Sequence, residues 1–228
     1  MYHHLSQYYD QLFTASETDY RFLDGFIKPG YLAMDLGCGT GRLTHYLYQK
    51  EMLPLGVDLD EKMVEVARNK YPELHFTVSD MTEAFLHSKT YHLITCFGNT
   101  LPHLDEKALD HFFMRLKDSL SPDGYAVIQL LNYIPILKNK PSKLKTITSG
   151  DITFERFYDY KEHHITFTTK LTNQGTFSEG TTVLYPYTVF DLTHCLENHK
   201  LNFQFYGDAD LKPFEPEDYY LYIIITKS

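Results

Sequence analysis

Three glycines at alternate positions, Gly37, Gly39 and Gly41, stand between a short apolar run and a helical one in Asp35-Leu36-Gly37-Cys38-Gly39-Thr40-Gly41. Glycines at such a junction let the backbone turn sharply and let a ligand approach the amides that open a helix. Residues 31–35 read as a buried strand and residues 43–47 as the start of a helix. The alternation then repeats. Residues 55–58, 74–78, 92–97 and 125–131 read as further strands, the last fed by the turn Ser121-Pro122-Asp123-Gly124. Asp60 is placed to cap a helix carrying Met63, Val66 and Ala67 on one face. A longer helix over 105–120 puts Leu109, Phe112, Phe113, Leu116 and Leu120 on one stripe, as core. Strand and helix alternating at this spacing predict an α/β fold with a parallel sheet covered on both faces. The 228 residues suffice for one substantial domain with an insertion, and hardly for two cores.

The pattern changes after Asn132. Residues 138–145 are basic and proline-punctuated, as in an exposed connection. Three segments rich in Thr, Phe, Tyr and Ile follow, at 152–160, 164–171 and 176–185, with Thr172-Asn173-Gln174-Gly175 as a hairpin-type turn. This predicts a small antiparallel β insertion over 133–186 in a core formed by 1–132 and 187–228. The core pattern resumes with a helix at 189–198 and strands at 201–206 and 219–226. Near the front, Ser16-x-x-Asp19 has the form of a cap for a helix reaching Ile27.

Twenty-one Lys and Arg against thirty Asp and Glu leave a net charge of −9. Phosphate binding needs a basic face, so neither nucleic acid nor an anionic membrane is the expected partner; a small molecule is. Cys38, Cys96 and Cys195 are odd in number and widely spaced, which suits reduced thiols rather than disulfides or a zinc knuckle. Residues 1–10 lack the apolar core of a signal peptide, and no stretch nears the roughly 20 apolar residues of a membrane helix. The expectation is a soluble cytoplasmic protein.

The details of the bend discriminate among nucleotide-type ligands. A P-loop would end in Gly-Lys-Ser/Thr, whereas Gly41 is followed by Arg42 and Leu43. A dinucleotide fingerprint would put a third glycine where Arg42 stands, which disfavours the rival reading of an NAD(P)-dependent oxidoreductase. Asp35, directly ahead of the bend, is unhelpful beside a pyrophosphate and suited to a cationic ligand end. Residues 35–41 resemble the first motif of class I S-adenosylmethionine-dependent methyltransferases, and later positions agree in order: Gly56-Val57-Asp58-Leu59, Ser79-Asp80-Met81, and Cys96 to Leu104. That last stretch, with Tyr8-Tyr9-Asp10 and Leu131-Asn132-Tyr133, is similar to small-molecule enzymes of the glycine N-methyltransferase type.

The resemblance implies a three-layer, Rossmann-like, doubly wound sheet of about seven strands, mostly parallel, with 219–226 as the antiparallel seventh. It implies S-adenosyl-L-methionine as cofactor, bound by Asp35, Gly37, Cys38, Gly39, Thr40, Gly41, Asp58, Leu59, Asp80, Met81, Cys96 and Phe97. Asp58 would accept from both ribose hydroxyls and Asp80 from the adenine amino group. Asn99, Tyr9 and Tyr133 are the candidate catalytic residues; His103, Asn132 and Arg156 are the acceptor-side ones. Plainer roles stay open: Asp35 and Asp80 as caps, Asn99 as a loop turn, Tyr9 and Tyr133 as packing, Arg156 as a solvated strand residue. The methyl acceptor would be a small molecule, with nitrogen favoured. In-line transfer from a sulfonium needs orientation and water exclusion more than an acid–base triad, and no triad signature is present. No carboxylate cluster follows the fourth strand, so the site is expected to be metal-free. The adjacent pairs His3-His4 and His163-His164 would point apart on a strand. A non-catalytic cofactor-binding module is a second alternative. Exposed insertion strands offer a surface for a homodimer.

Overall fold

The computed structural model describes residues 3–14, 17–85 and 90–228. A 3₁₀ turn at His3–Tyr8 leads into α1 (Tyr9–Leu12), and a 3₁₀ segment at Glu17–Gly25 precedes β1 (Leu32–Leu36). Then come α2 (Arg42–Gln49), β2 (Leu53–Asp58), α3 (Glu61–Lys70), β3 (His75–Val78) and β4 (Tyr91–Cys96). A 3₁₀ turn at Leu101–His103 leads to α4 (Glu106–Ser119), β5 (Leu120–Leu131) and α5 (Tyr133–Asn139). The antiparallel strands β6 (Ile147–Ser149), β7 (Ile152–Tyr160), β8 (Ile165–Asn173) and β9 (Thr176–Leu184) follow. The chain closes with α6 (Val189–Asn198), β10 (Leu201–Tyr206) and β11 (Tyr220–Lys227).

The main sheet has seven strands in the order β10-β11-β5-β4-β1-β2-β3. β11 runs antiparallel to both neighbours, and the other pairs are parallel. Side chains alternate across it. Ala33, Leu93 and Val127 pack with Leu43, Tyr46 and Leu47 of α2 on one face. Met34, Ile94, Ala126 and Ile128 pack with Phe112, Phe113 and Leu116 of α4, and with Leu192 and Leu196 of α6, on the other. Each buried Leu, Ile, Met or Phe side chain contributes roughly 1.5–3 kcal/mol, so this stripe rather than helix propensity holds α4 in place. These are the three layers expected from the sequence.

Asp60 caps α3 through Oδ1, which accepts from the N–H groups of Lys62 and Met63 at 3.0 and 3.4 Å. The hairpin turn closes with Asn173 paired to Thr176, and Gln174 and Gly175 both at positive φ. Other elements differ from expectation. Ser121–Gly124 is a bulge rather than a turn ahead of the strand: Leu120 already pairs with Tyr91, and pairing resumes at Leu93 and Tyr125. The 138–145 stretch is not a free connection. α5 takes its first residues, and the rest lies along β7, with Leu144 N–H donating to Arg156 O and Lys143 bonded to Glu155. Ser16 of the expected front cap lies outside the described residues, and a 3₁₀ segment stands where the helix was expected.

The four-stranded sheet β6-β7-β8-β9 leans its inner face on the rest of the chain at two places. Ile152, Phe154 and Leu171 pack with Leu5, Leu12 and Met63, whereas Tyr158, Ile165, Phe167 and Leu184 join the main core. Register puts Arg156, Thr169 and Gly180 in one row between these two supports.

Candidate active site

Strand order reverses direction between β1 and β4, since the chain leaves β1 toward β2 and later returns to β1's other side. In open α/β sheets that switch point, at the carboxyl ends of the strands, is where ligands bind. The loops after β1, β2, β3, β4 and β5 gather there.

The bend after β1 is built for close approach. Gly37 N–H and Cys38 N–H both donate to Val57 O, at 2.7 and 3.0 Å. Gly37 and Gly41 have φ of +71° and +82°, and a Cβ would lie 2.5 Å from Thr100 at the first and 2.7 Å from the Phe76 ring at the second. Space and backbone conformation therefore both demand glycine there. At Gly39 a Cβ would meet only the Tyr9 ring, at 3.8 Å.

Asp58 ends β2 and turns toward the bend. Its Oδ2 accepts from Gly39 N–H and its Oδ1 from Asp60 N–H, both at 2.8 Å. Burial raises its pKa, against the lowering effect of those two N–H groups. Each oxygen keeps a lone pair for a further donor such as a sugar hydroxyl. Leu59 beside it is 63% exposed, an apolar surface at the rim of the bend. Asp35 is 2% exposed, and its carboxylate accepts from the Thr44 and Thr95 hydroxyls at 2.7 and 3.0 Å, tying β1 to α2 and β4. Burial pushes its pKa up to about 6, outweighing the two hydroxyls. Asp80 is exposed and caps its own turn by accepting from Thr82 N–H and Oγ1, while Met81 packs on the main core.

Cys38 and Cys96 are buried, and burial drives both thiols far above their ordinary pKa, so neither is a nucleophile. The Phe97 ring packs 6.0 Å from Phe22 and 6.3 Å from Tyr222. Thr40 is buried and donates to Asp10 Oδ1 at 2.5 Å.

Asn99 sits at φ +63° on the loop after β4. Its Oδ1 accepts from Leu131 N–H and its Nδ2 donates to the Tyr133 hydroxyl, both at 3.0 Å. Tyr133 is fully buried, so this pair joins the ends of β4 and β5. Asn132, also buried, spends its side chain on backbone: Oδ1 accepts from Ile134 N–H, and Nδ2 donates to Pro216 O and Asp218 O. It ties β5 to the segment ahead of β11. Burial lowers the His103 pKa to about 4, with a backbone contact at Val183 opposing, so its ring is neutral at physiological pH. Tyr9 lies on the Gly39 side of the bend, 4.9 Å from Phe13, with its pKa raised by burial. Arg156 is half-buried in the middle row of the inner insertion face. Its Nη2 donates to Lys145 O at 2.9 Å and its buried Nε has no hydrogen-bond partner.

Two features were not anticipated from the sequence. Asp10 is the hub that holds the N-terminal segment on the bend: besides Thr40, it pairs with Arg42 at 3.3 Å and Lys70 at 2.6 Å. Arg42, in the slot where a dinucleotide fingerprint has glycine, also donates to Phe13 O. Gln129 accepts from Gly98 N–H through Oε1 at 2.9 Å and fixes the loop after β4. Its one visible signal is a single amide in the otherwise apolar run Ala126 to Leu131.

A family model described as a methyltransferase domain matches residues 33–124. Protein 235L of Invertebrate iridescent virus 6 is 28% identical over 127 residues, 54% of this chain and 47% of that protein. The dTDP-3-amino-3,6-dideoxy-alpha-D-glucopyranose N,N-dimethyltransferase of Streptomyces fradiae is 28% identical over 97 residues, 42% of this chain and 38% of that enzyme. The chain spans less than half the length of the curated relatives it matches. Among solved structures, an S-adenosylmethionine-dependent methyltransferase from Clostridium acetobutylicum superposes with a TM-score of 0.86 at 16% identity, covering 100% of this chain and 99% of that one. The shared fold is that of class I methyltransferases. Among the described residues, no helix is long and apolar enough to cross a membrane.

Proposed function

We propose that this chain, which carries a methyltransferase domain over residues 33–124 in a class I methyltransferase fold, transfers a methyl group from S-adenosylmethionine to the nitrogen of a small molecule. The observation that carries this reading is the Asp58 carboxylate turned onto the amide of Gly39, in a bend held open by glycine. The residues present fit the cofactor: a carboxylate with lone pairs to spare for a diol, an apolar flank at Leu59, and a buried negative charge at Asp35 for a positively charged end. S-adenosylmethionine, when bound, supplies the methyl group already activated on a sulfonium sulfur.

What remains for the chain is positioning. Asp58 fixes the sugar, and the bend and Tyr9 confine the ligand between them. The Asn99–Tyr133 pair orients the acceptor face, and the insertion sheet excludes water. Arg156 offers a guanidinium with an unpaired N–H to an anionic group on the acceptor. Nitrogen is favoured by the Streptomyces fradiae relative, which is an amino-sugar N,N-dimethyltransferase. The net charge of −9 argues against nucleic acid as acceptor.

Incubation with methyl-labelled cofactor and a panel of small amines is the test. Label appearing in a low-molecular-mass amine supports the reading; label confined to protein or nucleic acid, or no transfer despite binding, overturns it. Asn99→Ala should lower kcat about 10–100-fold while leaving the Kd for S-adenosylmethionine within about threefold, because the pair acts on orientation rather than cofactor grip. Arg156→Ala should raise KM for an anionic acceptor about 10–100-fold, as expected for the loss of a charged hydrogen bond worth roughly 1.5–3 kcal/mol. An uncharged amine should show no such change, and an equal change for both would contradict the assignment.

A further inference from the structure

One cluster of metal-ligating side chains among the described residues lies apart from this site. It comprises Asp110 on α4, Cys195 on α6 and His199 at the end of α6, with one ligand atom from each within 4.8 Å of the others. Cys195 and His199 are four residues apart, one helical turn, so both project from the same side of α6. This i, i+4 spacing is the one helices use to present two zinc ligands. Asp110 completes the set from the neighbouring helix, its Oδ1 lying 2.8 Å from His199 Nε2. The backbone around His199 is fixed as well: its N–H donates to Cys195 O at 3.3 Å, and its carbonyl accepts from Lys117 Nζ at 2.7 Å.

We propose that Asp110, Cys195 and His199 form a three-residue zinc site that clips the end of α6 to α4, with water as fourth ligand. Bonds of about 2.3 Å to sulfur and about 2.0–2.2 Å to nitrogen and oxygen put tetrahedral ligand edges at roughly 3.3–3.8 Å. The His199–Asp110 pair therefore opens by about half an ångström, and the longer edges contract. The Asp110 side chain is 67% exposed and free to rotate into place. A thiolate with an imidazole selects zinc over magnesium or calcium, which prefer all-oxygen sites. Cys195 loses its thiol proton to solvent as the Zn–S bond forms, so thiolate and carboxylate together balance the ion's two positive charges. Asp110 lies 85 residues before Cys195 in the sequence, so the fold is what brings it to the Cys195–His199 pair.

The test is metal binding by the full chain stripped of metal, which does not depend on methyl transfer. Competition with a chromogenic zinc chelator should show one equivalent bound with a Kd below about 1 µM. Saturating zinc should raise the thermal midpoint by about 5–10 °C. Cobalt should give a thiolate-to-metal absorption band. Cys195→Ser and His199→Ala should each weaken zinc binding at least tenfold, and Cys195→Ser should abolish the cobalt band while leaving the metal-free midpoint within about 3 °C. Binding weaker than about 10 µM would overturn the proposal, as would zinc affinity and a cobalt band unaffected by Cys195→Ser.

Discussion

Replacing Asp58 with alanine should weaken S-adenosylmethionine binding by at least 100-fold. The carboxylate has two jobs at once. It accepts from the Gly39 and Asp60 amides, which sets the bend against the start of α3. In the proposed complex its remaining lone pairs receive both ribose hydroxyls. A hydrogen bond to a charged group is worth roughly 1.5–3 kcal/mol, so losing two accounts for a factor of 10² or more. Protein stability should fall far less, because removing a buried charge offsets part of the lost amide bonding. Calorimetry with S-adenosylhomocysteine, alongside thermal unfolding of the same variant, separates the two effects. Binding within threefold of the parent protein would show that the sugar is not held at Asp58.

Asp35→Asn should do the reverse to stability while also weakening binding. In the ligand-free protein the Asp35 carboxylate is buried, and its pKa rises from 3.8 to about 6. Between those values the folded state holds a proton that the unfolded state has released. The penalty is thus absent below about pH 4 and complete above about pH 6, where a shift of about two pH units corresponds to about 3 kcal/mol. The amide keeps the packing: its oxygen accepts from one threonine hydroxyl, and its nitrogen donates to the other. At pH 7 the variant should unfold about 6–12 °C higher than the parent, with the difference disappearing as pH falls from 6 to 4. It should also bind S-adenosylmethionine at least tenfold more weakly, since the removed charge is the one a cationic ligand end compensates. A variant that is less stable than the parent at pH 7 would mean that the Thr44 and Thr95 hydroxyls cannot re-pair with an amide.

The parts of this molecule that could be read from the sequence are those governed by local rules. The glycine bend, the Asp60 cap and the paired turn at Gln174-Gly175 each have short-range chemistry that fixes them wherever they occur. α6 and β10 match their expected bounds because an apolar stripe and a period-two strand follow one another without ambiguity. Failures occurred where long-range contacts overrule local signals. Ser121–Gly124 has strong turn chemistry, yet Leu120 pairs with Tyr91 before it and the turn becomes a bulge within one strand. The basic stretch near residue 140 looks solvated until β7 offers its edge. Asp10 belongs to the Tyr8-Tyr9-Asp10 stretch of the resemblance, but no local signal shows its partners: Thr40, Arg42 and Lys70 come from two other helices and a loop. Asn132 is expected on the acceptor side, and no local signal shows that its amide bonds to the segment before β11, more than eighty residues away.

The central claim is that the bend after β1 and the carboxylate ending β2 receive an adenosyl sulfonium. The most direct measurement is a calorimetric titration of the unmodified protein with S-adenosylmethionine, run beside NAD⁺ and NADP⁺. The account predicts one S-adenosylmethionine per chain with micromolar affinity and no heat from either dinucleotide. Dinucleotide binding with none for S-adenosylmethionine would contradict it.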